Sequence, residues 1–140
     1  MNNQTGYAAL ILRLSLGSMF LAHGLLKVVV FTLPGTAGFF ESVGFPAALA
    51  YVVTAAEIGG GALLIAGIAV RPIAIAMTPI LLGALYVHWN AGWVFSNANG
   101  GWEYPAYLLA TSVATALLGP GKFALKLPTR SGDGRNAALA

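Results

Sequence analysis

No cysteine occurs anywhere in the 140 residues. Disulfides, thiol redox chemistry and cysteine-ligated metal sites are therefore excluded, and any redox role must borrow a cofactor. Charge is almost as scarce. Asp, Glu, Lys and Arg make up 8% of the chain, against roughly 25% in a soluble domain, too few to cover a water-facing surface. Phosphate-cradling glycine loops are missing too, since Gly59-Gly60-Gly61 lies inside an apolar run, and there is no nucleophile elbow or metalloprotease motif. What abounds is apolar: 58% hydrophobic residues and a mean hydropathy of +0.79. Such a chain is solvated by lipid, and its length suits one domain.

Four apolar runs predict an all-α fold, an integral membrane four-helix bundle occupying residues 1–127. The spans fall at about 7–31, 46–68, 72–90 and 104–119. At ~1.5 Å per residue, some 20 residues cross the hydrocarbon core. The first run is no secretory signal, because no Lys or Arg precedes residue 13 and its apolar stretch is too long. Between the first two runs lies a turn-rich connection, in which Phe39, Phe40 and Glu41 predict a short interfacial helix. Pro72 suits the first position of the third helix, and Pro79 should kink it. Gly119-Pro120-Gly121 stops the fourth run, and residues 128–140 read as a disordered cytoplasmic tail.

Basic residues set the orientation. An N-in, C-in arrangement in a bacterial inner membrane places Arg71 and the cluster Lys122, Lys126, Arg130 and Arg135 in the cytoplasm, leaving at most Lys27 outside. Trp89, Trp93 and Trp102 then form an outer aromatic belt. The same basic cluster lacks the stacking aromatics and polar domain of a nucleic-acid binder, so no nucleic acid is expected. The lipid bilayer is the expected environment, and a homo-oligomer is left open.

Ionisable groups at membrane depth are costly, by at least ~2.5–3.5 kcal/mol on insertion scales, so they face inward and pair. Arg13, Gly17, Phe20, Gly24 and Lys27 share one helical stripe with His23 at its edge, and the glycines there permit close helix approach. On the second helix Thr54, Glu57, Gly61 and Leu64 share a face. A buried Arg13–Glu57 ion pair accounts for both charges. Its bland role is to fix helix register; the functional one is a proton-handling or ligand-binding carboxylate. His23 and His88 both fall in the outer half. They either pack at the polar interface or contact a small molecule such as a quinone carbonyl. With two histidines and no carboxylate cluster, haem is disfavoured and no metal site is expected. Tyr104, Tyr107, Thr111 and Thr115 line one side of the fourth helix, where interhelical hydrogen bonding is the simplest role. The expected ligand-binding set is His23, Lys27, Glu57, His88 and Tyr104, with Trp89 or Trp102 as an apolar wall.

The run Leu12-Arg13-Leu14-Ser15-Leu16-Gly17, continuing through Phe20-Leu21-Ala22-His23-Gly24 to Lys27, resembles the opening signature of the DoxX family. Glu57-Ile58-Gly59-Gly60-Gly61, Leu63-Leu64, Gly67 and Arg71-Pro72 resemble its second half, and the likeness extends over residues 8 to about 120. It implies a small four-helix membrane protein. The name-giving relatives belong to a terminal quinol oxidase and a thiosulfate:quinone oxidoreductase system, where they work with partner subunits. Carried over position by position, Arg13, His23, Lys27, Glu57 and Arg71 match the family pattern. The expectation is a quinone-interacting membrane subunit with a partner oxidoreductase subunit. The rival class is a non-enzymatic assembly factor, or a binder or carrier of a small lipophilic molecule.

Overall fold

A computed structural model describes residues 2–125, all helix and loop among the described residues. The predicted tail from residue 128 lies outside them. Five α-helices follow in order: α1 Asn3–Val29, α2 Leu33–Ser42, α3 Ala47–Ala66, α4 Val70–His88 and α5 Glu103–Leu118. A short 3₁₀ turn, Trp89–Ala91, extends α4. Three helices, α1, α3 and α4, are long and apolar enough to cross a membrane. With 16 residues, α5 reaches only ~24 Å.

Each boundary has a local cause. The Asn2 side chain accepts from the Thr5 amide and caps α1. Gly67, at φ 78°, closes α3 in the left-handed conformation that glycine adopts without Cβ penalty. Helix α4 then starts at Val70, two residues ahead of the sequence-based expectation, so Pro72 sits within its first turn instead of opening it. Pro79 removes the hydrogen bond its amide would give Ile75, and the Thr78 hydroxyl donates to that carbonyl instead. The interfacial helix is longer than Phe39–Glu41: ten residues, with Pro34 in its first turn and the Thr36 hydroxyl anchored on the carbonyls of Lys27 and Thr32.

The four long helices form a ring in which α1 and α4 each pack on α3 and α5, while α2 lies against α3 and the end of α1. The seam between α1 and α3 is built on glycine. A Cβ on Gly61 would come within 2.6 Å of the Leu21 amide nitrogen, and one on Gly17 within 2.9 Å of the Gly61 carbonyl. Lipid offers no hydrophobic drive for association, so close backbone packing of this kind holds membrane helices together. The polarity is distributed accordingly. Arg13, Thr54, Glu57, Thr111, Ser112 and Thr115 are buried, whereas Ile11, Val52, Ile75, Leu82 and Leu117 point outward.

On α5 the expected interhelical bonds fall to a different residue. Thr111 and Thr115 donate back to their own helix, at Tyr107 and Thr111, and Tyr107 itself is exposed. Ser112 makes the crossing, donating to the Ala74 carbonyl of α4 at 2.8 Å.

Candidate functional site

The register of α1 on α3 decides where the buried charges go. Gly24 lies against Glu57 and Ile58, and Gly17 against Gly61 and Leu64. Arg13 is therefore level with the last turn of α3, about two helical turns from Glu57. The expected Arg13–Glu57 pair does not form. Arg13, 1% exposed, donates to four backbone carbonyls instead: Leu64 at 3.0 Å and Ile65 at the end of α3, and Pro120 at 2.8 Å and Lys122 at 3.0 Å after α5. A guanidinium suits this task, with five donors in a fixed fork and a positive charge against the negative end of a helix dipole. Its role is to tie the chain beyond α5 to the bundle. Arg71, another position matched to the family pattern, lies at the same end, packed by Gly119.

Glu57 pairs with Lys27. The Nζ and Oε2 atoms lie 2.6 Å apart, with the carboxylate side chain 7% and the ammonium side chain 17% exposed. One helical turn from Lys27, the His23 ring points its Nδ1 at the Met19 carbonyl, 2.8 Å away. A carbonyl only accepts, so Nδ1 carries the proton of this bond, and Nε2 is the acceptor of the corresponding neutral tautomer. The ring stacks on Tyr104 of α5, centroids 6.0 Å apart. His88 is held in the same way, Nδ1 toward the Asn99 carbonyl at 2.9 Å. This last contact depends on the 89–102 loop, which folds back so that the Phe95 amide donates to Glu103 Oε1. Gly101 permits the fold-back, since a Cβ there would meet the Val94 carbonyl oxygen.

These residues meet at one cavity of about 810 Å³, at the end of the bundle that carries α2 and the 89–102 loop. His23, Lys27, Glu57, His88 and Tyr104 all line it. Among the described residues, the Tyr104 hydroxyl is a buried side-chain polar atom with no hydrogen-bond partner. Such a group costs about 1–3 kcal/mol unless something satisfies it. The walls are otherwise apolar, and here the sequence-based expectation needs correcting. Trp89 and Trp102 do not form the wall. They stack on each other, with Trp93 edge-on to Trp102, away from the cavity. Phe39, Phe40 and Phe45 around α2, with Phe95 from the loop, take that place. Gly83 and Ala84 keep the α4 side low, and a Cβ on Gly83 would meet no atom within 4 Å. The paired phenylalanines of α2 were the available sequence signal; the openness at Gly83 had none.

The arrangement offers a hydrogen-bond donor (Tyr104), two basic ring nitrogens and a compensated ion pair inside an apolar chamber. Residues 8–89, from α1 through α4, match the DoxX family. The chain belongs to the DoxX family. A protein of Bacillus subtilis (strain 168) named "Putative oxidoreductase CatD" is similar, 35% identical over 125 residues that cover 89% of each chain. No solved structure matches the chain. The family match takes in His23, Lys27, Glu57 and His88, whereas Tyr104 lies beyond it.

Proposed function

We propose that this DoxX-family protein is a quinone-binding membrane subunit of an oxidoreductase system. The observation that carries the reading is the unpartnered Tyr104 hydroxyl buried on an apolar chamber that also holds His23 and His88. Quinone carbonyls accept hydrogen bonds, which the Tyr104 hydroxyl can donate. Quinol hydroxyls donate them, which suits an imidazole Nε2. One site thus has a partner for both ends of the couple. The chamber falls within the roughly 300–1,000 Å³ of sites for drug-sized ligands. Interconversion of quinone and quinol moves two electrons and two protons. The residues here hold the ring and exchange protons, and a partner subunit supplies the electron centre. The similar protein's oxidoreductase name agrees with such an association.

The test is binding of a benzoquinone or naphthoquinone analogue to the purified chain in detergent. Tyr104→Phe and His23→Ala should each weaken binding about tenfold, the worth of one good hydrogen bond. The unliganded Tyr104→Phe chain, freed of an unpartnered buried hydroxyl, should keep or gain thermal stability. Binding equal to that of the parent in both variants would overturn the reading.

A further inference from the structure

The chamber has a neighbour. A groove of about 530 Å³ runs along the outer surface of α4, lined by Leu82, Leu85, Tyr86 and Trp89 together with Val43 and Val87, with Asn90 as a polar member at the end of the helix. Val43 and Val87 also line the inner chamber, so the two spaces meet at these residues. Leu82, Tyr86 and Trp89 are exposed on the helix surface. On a helix long and apolar enough to cross a membrane, exposed apolar side chains such as these meet lipid. Phe45, just after α2, meets Tyr86 edge-on with centroids 6.1 Å apart, which closes α2 against α4 at this seam.

We propose that this groove receives the hydrocarbon tail of the ligand whose polar head occupies the chamber, and that the ligand reaches the chamber sideways from the bilayer between α2 and α4. The inference rests on the quinone-class reading of the chamber. A membrane quinone carries a long polyprenyl tail, and a chamber sized for a drug-like molecule holds the head and the first prenyl units but not the whole tail. The rest of the tail must leave through an opening in the wall, and the groove, which shares Val43 and Val87 with the chamber, lies where one would form. The groove's Leu, Val and Trp side chains are no more apolar than lipid, and Asn90 is less so, so the groove adds little affinity and acts as a passage. The Phe45–Tyr86 contact is the part that must part for access, because it spans the seam and involves one exposed ring.

Two ligands separate the groove from the head site: a tail-less benzoquinone and the same ring with a full-length polyprenyl tail too large for the chamber, each titrated against the full chain in one detergent. Leu85 lines the groove and not the chamber, so Leu85→Trp fills the passage alone. It should weaken binding of the polyprenyl compound about tenfold or more relative to the parent, with the tail-less compound bound as before. Tyr86→Ala, which opens the seam, should speed association of the polyprenyl compound and leave that of the tail-less one unchanged. Comparing variants in the same micelles cancels partitioning of the tail into detergent. An unchanged ratio of the two affinities in Leu85→Trp, with unchanged association in Tyr86→Ala, overturns the passage while the head site stands. Failure of the parent to bind the tail-less compound removes the head site, and the passage with it.

Discussion

Lys27 and Glu57, thirty positions apart, meet at 2.6 Å across the glycine seam between α1 and α3. The contact follows from register: Gly24 brings α1 close enough to Glu57 for a side chain one turn further along to reach over it. Removing one member of such a pair strands the other, at a cost of ~3–5 kcal/mol when fully buried. Lys27→Met and Glu57→Met should each lower thermal stability in detergent, with the Glu57 change nearer the lower end because Lys27 keeps some exposure. The double variant should recover part of the loss. Additive losses would show that the pair contributes nothing as a pair.

Arg13 makes the opposite prediction. Its partners are backbone carbonyls, which no second substitution can remove. Arg13→Met leaves buried acceptors unsatisfied at about 1–3 kcal/mol each, and Arg13→Lys cannot span both the end of α3 and the segment after α5. Both variants should destabilise, and proteolysis between residues 119 and 125 should accelerate. Combining Arg13→Met with Glu57→Met should give additive losses. Recovery in that double variant would restore the ion pair that the helix register denies.

How far the sequence carries is clear from these two charges. Spacing along one helix correctly put Arg13, Gly17, Phe20 and Gly24 on a buried stripe, since a 3.6-residue period is a property of one chain segment. Which residue faces which across a seam is a property of two helices. It depends on backbone approach at Gly17, Gly24 and Gly61, and a slip of two turns exchanged the partners. The five residues expected to converge do line one cavity, because all lie near the same end of antiparallel elements. The phenylalanine wall was harder to see, as it depends on the placement of α2 and of a loop folded back through Glu103.

The chamber can be filled without disturbing its walls. A Cβ on Gly83 would meet nothing within 4 Å, and exchanging a mid-helix glycine for a side chain favours the helix by up to ~1 kcal/mol. Gly83→Leu should therefore keep or raise thermal stability while abolishing quinone-analogue binding. By contrast Gly61→Leu should prevent folding, since a Cβ there already collides with the α1 backbone. Undiminished binding by a stable Gly83→Leu variant would place the ligand elsewhere.

The orientation in the membrane is open to a direct test, and the fold sharpens what to expect. One end of the bundle gathers the start of α1, the Arg71 region and the segment after α5: Lys122 donates to Asn3 at 2.7 Å, and Gly119 packs on Arg71. The chain continues with Lys126, Arg130 and Arg135. The other end carries α2 and the 89–102 loop, with Lys27 committed to Glu57 and Glu41 and Glu103 adding no positive charge. Cations near helix ends stay on the cytoplasmic side. Reporter fusions at residues 68–70 and after residue 128 should thus read cytoplasmic, and one at Asn97 periplasmic. This pattern also requires α5 to cross despite its 16 residues, by drawing on flanking residues and local bilayer thinning. A fusion after residue 128 that reads periplasmic, with the one at Asn97 unchanged, would mean that α5 does not span.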